Sequence, residues 1–111
     1  MNNYLHKSEI LTNKINFSNL FKNGKILNGK YVNIIYNNAE NFKIGFTVSK
    51  KIKGSVKKNK IKRQLKEIYR TNKIEFPKNK LLTIYAKKDQ ADFLNLKKDI
   101  LSTIKKCNDH E

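Results

Sequence analysis

Apolar positions recur along this chain with two different periods, and they divide it into seven segments. Phe17, Leu20 and Phe21 stand at i, i+3, i+4, with Ile10 or Ile15 extending the same side. The spacing predicts a short helix over Asn13–Asn23, capped by Thr12 or Asn13 and stopped by a left-handed Gly24. Tyr31–Tyr36 and Phe42–Val48 are rich in β-branched and aromatic residues, and Asn37-Asn38 closes the first of them. They read as two strands joined in a hairpin, with Ile26-Leu27 as a short extra edge strand before Gly29. Ile61, Leu65, Ile68 and Tyr69 then make an i, i+4, i+7, i+8 stripe on a helix opened by Gly54 with Ser55 as N-cap, and Pro77 ends that region. Leu81–Ala86 is a further strand. Phe93, Leu96, Ile100, Leu101 and Ile104 form the inner face of a closing helix from Gln90 to Lys106, capped by Asp89. The order α-β-β-β-α-β-α predicts an α+β sandwich, one sheet covered on one side by helices.

Composition narrows the class. The chain has 111 residues, 38% of them hydrophobic and 10% aromatic, which suits a single folded domain over 1–111 and not a disordered basic tail. One cysteine, Cys107, excludes a disulfide framework and a cysteine-based zinc site, and reads as a reduced thiol at the surface or a helix end. No apolar run approaches the roughly 20 residues of a membrane span, and Met1–Ile10 lacks the apolar segment of a signal peptide, so a cytoplasmic protein is expected.

Charge changes the picture most. Lys and Arg total 25 against 9 Asp and Glu, a formal +16. Opposite the stripe of the central helix lie Lys58, Lys62, Lys66 and Arg70, with Asn59 and Arg63 on the adjacent row and Lys57 and Lys60 beside them. Only Glu67 interrupts this run, and like charges at i, i+4 oppose helix formation. A solvated lysine face is the ordinary explanation for a charge run, but this one needs a polyanion to offset its own repulsion. Nucleic acid is the natural candidate.

Catalytic constellations are poorly supported. His6 and His110 stand in the terminal segments, and Asp89, Asp92 and Asp99 are explained by capping and solvation of the last helix. There is no glycine-rich phosphate loop and no nucleophile motif. No catalytic residue and no metal ligand is therefore assigned on the chain. Phe17, Phe21, Tyr31 and Tyr36 are core residues by default, yet beside a basic helix such rings can also stack unpaired bases.

The segment Lys58-Asn59-Lys60-Ile61-Lys62-Arg63-Gln64-Leu65-Lys66-Glu67, preceded by Gly45-Phe46-Thr47-Val48-Ser49-Lys50-Lys51, closely resembles the signature of the protein subunit of bacterial ribonuclease P. Phe17, Phe21 and Gly24 are similar to that family's first helix and its stop, and the likeness covers nearly the whole chain. The resemblance implies a four-stranded sheet with three helices, a left-handed βαβ crossover holding the signature helix, and kinship with a ribosomal-protein domain. It also implies an RNA partner, ribonuclease P RNA, that carries out Mg²⁺-dependent removal of the 5′ leader of precursor tRNA. On this view the chain is an endoribonuclease component without catalytic groups of its own, and it needs neither a membrane nor a protein partner. Carried over by position, Lys50, Lys51, Lys58, Asn59, Lys60, Lys62, Arg63, Lys66 and Arg70 would bind RNA, and Phe17, Phe21 and Tyr31 would line the leader cleft. The sequence departs from the family where lysine replaces arginine at 58, 60 and 66, which keeps charge but loses bidentate geometry. It departs also at Asn33 and Ile35, where the family often has apolar or aromatic residues. Two alternatives are a structural ribosomal or RNA-chaperone protein, which would bind tRNA equally with or without a leader, and a protein-only nuclease.

Overall fold

The last strand-like apolar run, Leu81–Ala86, becomes a central strand. In the computed structural model, which describes residues 20, 22–88 and 92–109, β1 (Lys25–Asn28), β2 (Val32–Asn38), β3 (Lys43–Val48) and β4 (Lys80–Ala86) form one sheet in the order β1-β2-β4-β3. Between β3 and β4 run helix α1 (Ser55–Thr71) and a 3₁₀ turn (Lys73–Glu75), and helix α2 (Phe93–Asp109) follows β4. β4 is antiparallel to β2 and parallel to β3, so the sheet is mixed.

This order corrects the expected hairpin between the second and third strands. β2 and β3 each pair with β4, which is inserted between them. β4 brings apolar or hydroxyl residues to both faces, which suits an interior position, whereas the shorter β1 takes an edge. The parallel β3–β4 pair requires a crossover, and α1 supplies it. Asn37-Asn38 is accordingly an exit and not a two-residue turn. Ala39 N–H donates to the Asn79 carbonyl at 3.0 Å, and the buried Lys80 ammonium donates to Asn38 Oδ1 at 2.7 Å.

One face of the sheet carries Val32, Ile34, Tyr36, Ile44, Leu82, Ile84 and Ala86. They bury against Ile61, Leu65, Ile68 and Tyr69 of α1 and Leu96, Ile100 and Ile104 of α2. The expectation of cover on one side only is also corrected. Residues 20, 22 and 23 are helical, and Leu20, 1% exposed, packs with Ile35 and Leu81 on the opposite face. The rest of the expected Asn13–Asn23 helix, with Phe17 and Phe21, lies outside the described residues, as do His6, His110 and Asp89. Among the described residues there are two complete α-helices.

Five local readings change. Gly24 does not adopt positive φ; a Cβ there would stand 2.5 Å from the Leu20 carbonyl oxygen and 3.0 Å from Ile35, so glycine serves close approach. Gly54, at φ 91°, is the N-cap of α1, and Ser55 is its first helical residue. Asp92 caps α2, its Oδ1 accepting from Asn95 N–H at 2.8 Å. Cys107 is fully buried in the main core rather than at the surface, while Phe93 is 39% exposed.

Candidate nucleic-acid interface

α1 is anchored by its inner stripe and offers the other side to solvent. Ile61, Leu65, Ile68 and Tyr69 are buried, whereas Asn59, Lys60, Lys62, Arg63 and Lys66 are exposed and Lys58 is half-buried. Burial of the stripe fixes the rotation of the helix, and so holds the cationic row in one direction. Val56, Asn59, Lys62, Arg63 and Lys66 line a shallow hollow of 440 Å³ along that row. Val56, 80% exposed, is an apolar lip that the charge pattern did not reveal.

The amino end of α1 adds to this field. Its first turn holds no acidic residue, and the Gly54 cap makes no side-chain hydrogen bond to the helix amides. The N–H groups and the helix dipole therefore present positive potential beside the lysines, an arrangement suited to phosphate. Just before it, Lys50 and Lys51 stand exposed in a tethered turn. Ser49 N–H donates to the Ala86 carbonyl at 2.8 Å, Ile52 N–H to the Ser49 carbonyl at 3.1 Å, and Lys51 N–H to Ser49 Oγ at 3.2 Å. With Ser49 and Ile52 both buried, the two lysines are held near the start of the helix.

Arg70 is set apart from the other cations. Its Nη2 and Nε donate to the two carboxylate oxygens of Glu67 at 2.6 and 3.0 Å. That hydrogen bond, with the guanidinium charge, holds the Glu67 carboxyl below its ordinary range against a smaller desolvation effect. One cation of the predicted row is thus already engaged within the chain.

Tyr31 is placed away from Leu20. It is packed against the main core cluster and lines a cavity with Lys30 and the α2 residues Asn95, Lys98 and Ser102. Asp99 of α2 organises this corner, accepting from the backbone N–H groups of Lys30, Tyr31 and Val32 at 2.8, 2.8 and 3.1 Å. In the sequence Asp99 reads only as a capping or solvated acid of the last helix, because its partners lie 67 to 69 positions away.

The face over which Leu20 sits carries Asn33, Ile35, Thr47, Thr83 and Tyr85, brought together by register: Asn33 pairs with Tyr85, Ile35 with Thr83, and Thr47 with Tyr85. Thr83 Oγ1 donates to the Gly45 carbonyl at 3.2 Å, whereas Asn33 Oδ1 is buried with no hydrogen-bond partner. A polar and aromatic strip on a sheet face is ordinary for a binding surface. Their adjacency depends on β4 lying between β2 and β3.

Residues 5–108 match the family model described as Ribonuclease P. The chain is similar to the ribonuclease P protein component of Finegoldia magna, 36% identical over 89 residues that cover 79% of each protein. It is similar also to that of Petrotoga mobilis, 33% identical over 108 residues covering 90% of this chain and 92% of that one. Among solved structures, the ribonuclease P protein of Thermotoga maritima superposes with a TM-score of 0.79 at 26% identity, covering 88% of this chain and 96% of that one. The Staphylococcus aureus protein shares the fold, with a TM-score of 0.81 at 22% identity over 91% of this chain and 96% of that one. A signature helix with its row facing outward, on a fold matched along nearly its whole length, leads to one assignment: the chain belongs to the ribonuclease P family, as a protein component.

Proposed function

We propose that this chain assembles with ribonuclease P RNA through the exposed row of α1 and helps that RNA remove the 5′ leader from precursor tRNA in the cytoplasm. The observation that carries the reading is the division of α1 into a buried stripe and an outward row of Lys58, Asn59, Lys60, Lys62, Arg63 and Lys66. Lys50 and Lys51 extend the row, and Arg70 joins it only if RNA displaces Glu67. Phosphates take the lysines as point charges; Arg63 alone in the row supplies a planar fork.

The leader is assigned to the other face of the sheet. Leu20 lies there against Ile35 and Leu81, and Phe17 and Phe21 flank Leu20 in sequence, so these two aromatics are proposed to line the cleft. Asn33, Thr47 and Tyr85 would form its floor. Tyr31, packed beside α2, is a less direct contributor. The fold is proposed to be completed by a first helix over Asn13–Asn23 and a left-handed β3–α1–β4 passage, in the ribosomal-protein-like arrangement.

Mg²⁺ chemistry is assigned to the RNA. Among the described residues no three His, Cys, Asp or Glu side chains gather as a metal site. The protein's part is electrostatic and positional: it lowers repulsion between two RNAs and holds the leader strand.

Reconstitution tests the reading. The protein is mixed with a bacterial ribonuclease P RNA and leader-bearing precursor at low Mg²⁺. Rescue of cleavage is expected, with tighter binding of precursor than of mature tRNA. No rescue overturns the assignment, and equal binding of the two tRNAs would favour a purely structural RNA-binding role.

A further inference from the structure

Beyond the cationic row, the carboxyl end of α1 closes over a cluster of rings. Tyr69 stacks with Phe42 at a centroid distance of 5.8 Å and meets Phe76 edge-on at 5.0 Å. With Pro77 these rings floor a pocket of 280 Å³, whose lip is Ile74 flanked by Lys73 and Lys78. Tyr69 and Phe76 are 3% and 6% exposed, so the floor is rigid, while Ile74 is 93% exposed. One exposed isoleucine is ordinary by itself. An exposed isoleucine beside an aromatic-floored pocket, with a lysine on each side, is a surface shaped for a flat group that carries negative charge.

We propose that this pocket receives one unpaired nucleotide of ribonuclease P RNA, its base against Ile74 and the ring floor and its phosphates near Lys73 and Lys78. The inference rests on α1 being the RNA-contacting helix. Three observations favour this occupant over a protein. The formal +16 of the chain repels a second copy and attracts RNA. The 3₁₀ turn that carries Lys73 follows the carboxyl end of α1 directly, with Asn72 N–H bonded to the Tyr69 carbonyl at 3.1 Å, so the pocket adjoins the helix that bears the cationic row. The volume lies at the lower end of small-ligand sites, of order 300 Å³ upward, which suits one ring system and not a helix or strand. The base must be unpaired, because only then is its flat face free to meet the rings and Ile74. The leader strand is assigned to the opposite face of the sheet, which leaves the catalytic RNA as the source.

The test compares Ile74→Ser, the pair Lys73→Gln with Lys78→Gln, and Arg63→Ala, binding full-length ribonuclease P RNA across a salt series. Ile74→Ser removes an apolar contact and no charge: affinity should fall roughly five- to tenfold with the salt slope unchanged. The lysine pair should lower the log–log slope by about two. Because both changes act on one nucleotide, their combined loss should be smaller than the product of the separate losses. Ile74→Ser should also expose a single unpaired position of the RNA to a base-specific reagent. Unchanged affinity for Ile74→Ser alongside weakened Arg63→Ala overturns the pocket and leaves the α1 reading standing. If neither variant weakens binding, the α1 reading itself fails. A loss confined to precursor tRNA, or a change only in self-association, assigns the pocket to the leader or to a second copy and likewise overturns the proposal. Unaltered melting of Ile74→Ser, expected from its exposure, separates all these outcomes from misfolding.

Discussion

Glu67 sits inside a row of cations and cancels one of them. Its two hydrogen bonds to Arg70 keep the carboxylate ionised to lower pH than a free side chain, so at neutral pH Arg70 adds no net charge to the surface. The sign follows from the lowered value: the pair is intact above the ordinary carboxylate range and is lost as pH falls through the depressed one. An NMR titration should therefore find the Glu67 midpoint below that of a free glutamate, and Arg70→Ala should return it upward. Glu67→Gln should raise affinity for ribonuclease P RNA and steepen the log–log salt slope by about one, because it frees a phosphate-binding charge. Arg63→Ala should do the reverse, weakening assembly and flattening the slope by a similar amount, without altering stability by more than about 0.5 kcal/mol. The charged row was legible in the sequence because helical spacing alone lines it up. The internal claim of Glu67 on Arg70 was less so, since an acid three positions away can equally face solvent.

At the scale of elements, three glycines and one aspartate do unlike things. At Gly54 an added Cβ meets nothing within 4 Å, but φ is 91°, so Gly54→Ala should cost about 1 kcal/mol through backbone strain alone. At Gly24 the backbone is ordinary and the space is not, since a Cβ would press on the Leu20 carbonyl. Gly24→Ala should therefore disturb the seat of the N-terminal segment, read as weaker leader discrimination, more than it disturbs α1. Asp99 ties α2 to the β1–β2 corner by three backbone donors. Asp99→Ala should cost about 1–3 kcal/mol in urea denaturation, because it strands amides that water reaches poorly. Gly29 belongs to the same corner, its missing Cβ leaving room for the Asp99 carboxylate and the Thr103 hydroxyl. Gly54 announced a helix start in the sequence, and the structure moves the cap by one residue. Asp99 announced nothing, for its partners belong to the other end of the chain.

Across the whole molecule, charge and topology answer different questions. With about six phosphate contacts, binding to RNA should fall by roughly three orders of magnitude between 50 and 200 mM salt. A much shallower dependence, measured by filter binding, would show that apolar and stacking contacts dominate. By itself the sequence determined the strand-like and helical segments, the two faces of α1 and the sign of the partner, because each depends on residues a few positions apart or on simple sums. Tertiary structure decided that β4 enters between β2 and β3, replacing the expected hairpin, and that Leu20 covers the face opposite the long helices. It also decided that Cys107 is core, and that Asn33 and Ile35 share a surface with Thr83 and Tyr85. Those arrangements depend on contacts between residues tens of positions apart. Several strand orders satisfy the same alternation of apolar residues; the one adopted places β4, apolar on both faces, in the interior and gives α1 the crossover that directs its cations outward.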